Sequence, residues 1–342
     1  MVELERQLKS YAVILLAAAL IIAPASNVFA RDYLDIAGSY IDPGFYVWAG
    51  PGMMEGDVTY RIGGRVTTPS ETYDLFFPIS ELKWPLSDIP VISAGAELSL
   101  SEKLRFSGAV TQCAETGSGV MKDSDWTIEG IPDEYLYDYR TIYSESGTTV
   151  KVFTVDASLC WWLTEGNDSP YFAMENSSPF GLLAGYAYRS FVWRASNVDQ
   201  SYPLNPELGH DRVAGPVCDY KAEIRAPYAG ITSKLKGDSF EMTGTVGYSP
   251  LAAADDEDDH LLRSILSKSK TTGHAYLAAL NCSYDISSAF FLSGRADFFL
   301  INTDGTAEAV VYAGADKGDT WTIRHKIDSL TYGVYFAAGF KF

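Results

Sequence analysis

Basic residues are scarce in this 342-residue chain: 26 Lys and Arg stand against 44 Asp and Glu, for a formal charge of -18. A protein that neutralises phosphates needs a cationic face, so a nucleic-acid partner is excluded. Histidine is scarcer still, at four, and no two of His210, His260, His274 and His325 stand at metal-ligand spacing, which leaves zinc without a ligand set. Past residue 30 every apolar run meets a charge, Gly or Pro within about a dozen positions, too short for a helix that crosses a bilayer. The four cysteines, Cys113, Cys160, Cys218 and Cys282, each fall in or beside a different expected strand, and free thiols are expected. Aromatics, by contrast, are plentiful: Tyr 22, Phe 17 and Trp 7 exclude disorder.

Residues 1–30 read as a secretory signal peptide. Arg6 and Lys9 precede an apolar run from Tyr11 to Ala23, and Val28-Phe29-Ala30 places small residues at a cleavage site. The mature domain is then 31–342.

Apolar and polar residues alternate over long stretches of that domain. Phe153, Val155, Ala157, Leu159 and Trp161 fall on one face, and Thr154, Asp156, Ser158 and Cys160 on the other. Ten such segments are expected, at about 44–60, 73–100, 103–116, 150–164, 179–196, 218–236, 240–256, 272–287, 289–303 and 327–342. Their connections sort by length: tight turns at Ser101-Glu102, Gly166-Asn167-Asp168, Gly237-Asp238 and Ser287-Ser288, against long polar segments at about 115–148, 197–217, 255–271 and 302–326. That sorting is the plan of an all-β, ten-stranded antiparallel transmembrane β-barrel with long extracellular loops. The C-terminus agrees, with Tyr332, Val334, Phe336, Ala338, Phe340 and Phe342 suited to a lipid face and Gly333, Gly339 and Lys341 to a lumen. So few strands close too narrow a barrel for an open pore, which directs attention to the rim.

Two acidic runs lie in the expected long loops: Asp123-Ser124-Asp125-Trp126 and Asp255-Asp256-Glu257-Asp258-Asp259-His260. In extended backbone Asp123 and Asp125 share a face, and so do Asp256, Asp258 and His260. A carboxylate beside an imidazole yields a base for water, and crowded carboxylates let one acid keep its proton. Such runs are also compatible with a merely solvated loop or with calcium, although the second lacks the Gly and distal Glu of an EF-hand.

These runs resemble the omptin family of outer-membrane aspartate-histidine endopeptidases. Further matches follow in order: Ser80-Glu81-Leu82-Lys83-Trp84, Gly181-Leu182-Leu183-Ala184-Gly185-Tyr186, Tyr220-Lys221 with Pro227-Tyr228, and the Phe340-Lys341-Phe342 end. The resemblance implies water as nucleophile, His260 as general base oriented by Asp258, and Asp123 and Asp125 opposite them, positioning the water and stabilising the oxyanion. It further implies Asp256 in a pocket for a basic substrate side chain, with Asp57 as its partner acid, or else Glu55. No metal or cofactor is implied, and lipopolysaccharide is implied as an activator. Glu223 stands where one lipopolysaccharide-binding Arg would be expected, with Lys221, Arg225 and Arg189 nearby as substitutes.

Two functions follow as expectations. One is a monomeric endopeptidase in the bacterial outer membrane, its site facing outside, cutting cationic or dibasic peptide or protein segments that the negative charge concentrates. The other is a non-enzymatic barrel, an adhesin or structural surface protein. They part on whether Asp123 or Asp125 and His260 face each other.

Overall fold

The computed structural model describes residues 44–67, 72–126, 139–163, 179–237 and 239–342, with the side chains of 65–77 excepted. The expected leader at 1–30 and the turn at 166–168 lie outside these residues. Eleven strands follow one another: β1 (Phe45–Thr67), β2 (Thr72–Ser99), β3 (Leu104–Cys113), β4 (Gly117–Asp125), β5 (Ile142–Trp162), β6 (Phe180–Ser201), β7 (His210–Lys236), β8 (Phe240–His260), β9 (Ile265–Asp285), β10 (Phe290–Val311) and β11 (Thr320–Lys341). All pairings are antiparallel, and β1 bonds both β2 and β11, so the sheet closes on itself. β3 and β4 lie end to end between β2 and β5, so the eleven strands occupy ten positions around a barrel. Closure pairs the backbone groups that an open sheet edge would leave bare in lipid.

The outer wall carries an apolar belt. Tyr332, Val334, Phe336 and Phe340 of β11 are exposed, as are Phe298 and Leu300 of β10 and Tyr276, Leu280 and Tyr284 of β9. Register sets Tyr248 opposite Tyr276 at the upper edge of the belt and Phe240 opposite Tyr284 at the lower. The stretch from Tyr332 to Phe340 matches the ~9–11 residues with which a strand crosses a bilayer. The lumen-facing positions between are polar or charged: Arg189 bonds Asp156 at 2.7 and 3.2 Å, and Arg295 meets Asp297 at 3.1 Å. These pairs line a cavity of about 340 Å³.

The strands run well past the boundaries expected from alternation. The expected loop at 255–271 is the top of a hairpin, in which β8 and β9 leave only residues 261–264 as a turn. Asp123 and Asp125 likewise stand on β4 rather than in a loop. At these ends acids, serines and threonines take inward as well as outward positions, so the two-residue hydropathy signal fades while the hydrogen-bond ladder continues.

Two bulges change which residues face inward. In β8 the register shifts between Ser249 and Ala252, where Pro250 has no N–H to give the ladder and Leu251 is turned fully outward. Below the bulge the even-numbered Val246 and Tyr248 are exposed; above it the even-numbered Ala252, Ala254, Asp256 and Asp258 are buried. In β2 the inward set changes from Val91 and Ile89 to Leu86, Trp84 and Leu82, across Asp88 at φ 49°.

Placing a charge halfway along the belt tests this assignment. Phe336→Arg is expected to lower folding stability in bilayers by about 2–4 kcal/mol, whereas Lys270→Glu, on the outer wall above the belt, changes it by less than about 1 kcal/mol. Denaturant titration of the refolded barrel in lipid vesicles measures both.

Candidate active site

The upper ends of β4 and β8 carry the two acidic runs inside the barrel mouth. They are not neighbours in the sheet, yet Arg263, in the turn after β8, reaches Asp125 on β4 with Nη2 3.6 Å from Oδ2. That contact spans the mouth. Burial, then the charge of Asp125, pushes the Asp123 carboxyl well above its ordinary range; Asp258 adds to the shift and Arg263 opposes it. The structure therefore gathers Asp123, Asp125, Asp258 and His260 at one opening, all beyond the apolar belt.

An aromatic floor separates this opening from the charged lumen below. Trp84 stacks on Tyr220 with centroids 4.9 Å apart, Trp193 lies 5.6 Å from Tyr220, and Tyr60 lies 5.2 Å from it. The indole N–H of Trp193 donates to the carbonyl of Pro85 at 2.9 Å, tying β6 to β2 across the interior. Such ring pairs add about 0.5–1.5 kcal/mol each beyond the area they bury, and they keep water from reaching the acids from below. Low polarisability around a carboxylate disfavours its charged form, and burial accordingly pushes Asp123 and Asp258 up.

Each acid on β8 is held by donors from other strands. Asp258 accepts the Tyr60 hydroxyl from β1 and, at 2.8 Å, the Cys218 thiol from β7. Burial lifts Asp258 to about 6, while the two hydrogen bonds pull the other way. Burial and Asp258 itself also push the Tyr60 and Cys218 protons to higher pKa, so both remain donors. Asp256 accepts the Tyr220 hydroxyl and His325 Nε2, both at 2.9 Å and both on Oδ2. His260 is lowered to about 4, first by burial and then by Arg263, so its ring is neutral above that pH. Its Nδ1 and Asp123 Oδ1 are buried without hydrogen-bond partners.

Several expectations change here. Asp258 is oriented by Tyr60 and Cys218, with His260 Nδ1 left unbonded. Asp57 does not reach the pocket: it faces the outer wall opposite Leu330 and pairs with Lys83 at 3.0 Å, because its neighbours Val58 and Tyr60 take the inward positions. Glu55 also faces outward, accepting the Tyr332 hydroxyl at 2.6 Å. Arg189 points into the lumen, so it is not available to an outer-face ligand. The four cysteines are free, as expected, with Cys218 fully buried. Tyr60, Cys218, Tyr220 and His325 are site residues that spacing could not reveal. His325 lies far along the chain from Asp256, and nothing but the closed sheet brings them together.

Removing one donor tests the assignment of Asp258. Tyr60→Phe takes away a bond that favours the carboxylate, so the Asp258 pKa is expected to rise from about 6 by roughly one further unit, as read by NMR or infrared titration of the carboxyl.

Comparison with known proteins bears on the family and the fold. The omptin family model matches residues 70–338. The plasminogen activator of Yersinia pestis is 24% identical over 259 residues, which are 75% of this chain and 74% of that protein. The outer membrane protease IcsP of Shigella flexneri is 23% identical over 285 residues, 77% of this chain and 81% of its own. Among solved structures, the outer membrane protease OmpT from Escherichia coli superposes with a TM-score of 0.73 at 18% identity, over 89% of this chain and 98% of that one. With a closed barrel, an acid-lined mouth and a family match across most of its length, the chain belongs to the omptin family of outer-membrane proteases.

Proposed function

We propose that this protein is an endopeptidase of the bacterial outer membrane, its site open to the outside, that cuts cationic segments of peptides or proteins with an activated water. The observation that carries this reading is the convergence of Asp123 and Asp125 with Asp258 and His260 at one mouth, bridged by Arg263 and Asp125. In the proposed reaction His260, neutral at working pH, takes a proton from water as the water attacks the carbonyl. Asp258, held by Tyr60 and Cys218, carries the charge that stabilises the imidazolium that forms. Asp123, which keeps its proton by burial and by the presence of Asp125, donates to the carbonyl oxygen as negative charge develops there. The same proton balance then returns the His260 proton to the leaving amine, and no covalent enzyme intermediate is needed.

The net charge of -18 favours basic substrates by long-range attraction. Lipopolysaccharide is proposed as an activator, through cations on the outer wall above the belt. Lys221 and Arg225 stand there, each already engaged by an acid, Lys221 with Glu223 at 3.0 Å and Arg225 with Asp255.

Refolded barrel incubated with an Arg-Arg peptide, with and without lipopolysaccharide, is the direct test. Cleavage is expected, and His260→Ala or Asp123→Ala should lower kcat by roughly 10²–10⁴-fold. No cleavage by the parent in either condition, or undiminished cleavage by these variants, would sink the proposal and favour a non-enzymatic barrel.

The pH profile has a sign fixed by the same groups. His260 is already neutral above about 4, whereas Asp258 is charged only above about 6. The acid limb of kcat/KM is therefore expected near about 6, activity falling as pH drops through the Asp258 pKa, and Tyr60→Phe should move that limb upward.

A further inference from the structure

One cation of the chain stands among the acids of the mouth. Among the described residues Arg263 is the single Lys or Arg that pairs with Asp123, Asp125, Asp256 or Asp258, and its partner is Asp125. Arg263 lies in the turn after β8 and Asp125 ends β4, and β5, β6 and β7 separate those strands in the ring, so the side chain reaches across the opening. Its charge is felt by both halves of the site. After burial it is the next cause that lowers His260, and on Asp123 it opposes the upward push of burial and of Asp125.

The turn is tied down, but the guanidinium is not. Arg263 N–H donates to the His260 carbonyl at 3.1 Å, the Ser264 carbonyl accepts the Tyr312 N–H at 2.9 Å, and the Tyr312 hydroxyl donates to Asp259 at 2.9 Å. These bonds keep the backbone of the turn beside the mouth. The Arg263 side chain is 52% exposed against 17% for Asp125, and Nη2 stands 3.6 Å from Oδ2, too far for a hydrogen bond. Water already solvates much of that cation, so the pair is weak. Asp125 is thus a largely buried carboxylate whose cationic partner is easily exchanged.

From this geometry we infer that Arg263 is a specificity-determining residue: it occupies the place at Asp125 that a cationic side chain of the substrate takes on binding. A substrate Arg or Lys then exchanges one cation for another at Asp125 and gains only the difference, whereas a neutral residue leaves the pair in place. Arg263 thereby limits how strongly an acidic mouth holds cationic peptides, products included. The exchange also keeps a positive charge beside Asp123 and His260 whether or not substrate is bound. The inference rests on the endopeptidase reading.

The test uses the full refolded barrel, an Arg-Arg peptide, and the same peptide with citrulline at both positions, which keeps the shape and loses the charge. Arg263→Ala removes the competitor, so KM for the Arg-Arg peptide is expected to fall by about two- to fivefold, the range that exposed ion pairs span. The citrulline peptide, added as a competitor, should keep the parent's Ki. Arg263→Lys, which retains a cation, should retain the parent's KM; Arg263→Gln should follow the alanine variant and decides where that variant does not fold. Lys268→Ala removes a charge from the outer wall of β9, where Lys268 pairs with Glu257 at 2.8 Å, and should leave both constants unchanged. A folded Arg263→Ala variant whose KM is no lower than the parent's, an equal fall in the citrulline Ki, or an equal fall in Lys268→Ala overturns the inference. No cleavage of the Arg-Arg peptide by the parent would instead count against the endopeptidase reading itself.

Discussion

One extra residue in β8 determines which way the acids face. Side chains on a strand alternate between two faces, so in an uninterrupted β8 the outward parity of Val246 and Tyr248 would carry through to Asp256, Asp258 and His260. The bulge at Pro250-Leu251 reverses that parity above the belt and turns the acids into the mouth. The matching irregularity in β2, around Asp88, turns Leu82, Trp84 and Leu86 inward as the floor beneath them. Below the bulges β8 presents Val246 and Tyr248 to lipid, and β2 presents Ile92. A barrel that must be apolar outside within the membrane and acidic inside above it can meet both demands by changing parity between the two levels.

Ring closure makes the rest of the site affordable in physical terms. Because β1 bonds both β2 and β11, the ladder continues beyond the membrane without an exposed edge, and long strands can project a rigid wall into the medium. Rigid walls hold donors from distant parts of the chain against the acids: Tyr60 from β1, Cys218 and Tyr220 from β7, His325 from β11. The Trp84, Trp193 and Tyr220 stack beneath keeps the acids away from the wet, charged lumen. Burial then separates their protonation behaviour, lifting Asp123 and Asp258 and lowering His260. Environments that push the proton affinities of neighbouring groups apart are what general acid–base chemistry draws on.

Much of the fold was legible because membrane-crossing strands leave a periodic trace. The alternation in Tyr332 to Phe340 marked the lipid face correctly, and ten strand segments correspond to the ten positions of the ring. The strand ends were not legible. Residues 255–260 and 267–271 carry polar side chains on both faces, the inward ones buried, so no alternation of apolar and polar marks them as strand. Asp57 illustrates a second limit: spacing from Tyr60 suggested a pocket acid, but alternation along β1 puts Val58 and Tyr60 inside and Asp57 outside with Lys83.

The amino-acid sequence by itself determined the class of fold, the membrane-facing residues and the two acidic runs, because each is written in local order: alternation, turn spacing and residues two apart on one strand. Only the tertiary structure decided which face those runs present and what touches them. A bulge is a local shift in pairing with the neighbouring strands, and the contacts of Asp256 with His325 and of Asp258 with Tyr60 join residues far apart in the chain. Such contacts depend on the closure and stagger of the whole ring, which no short window of sequence contains.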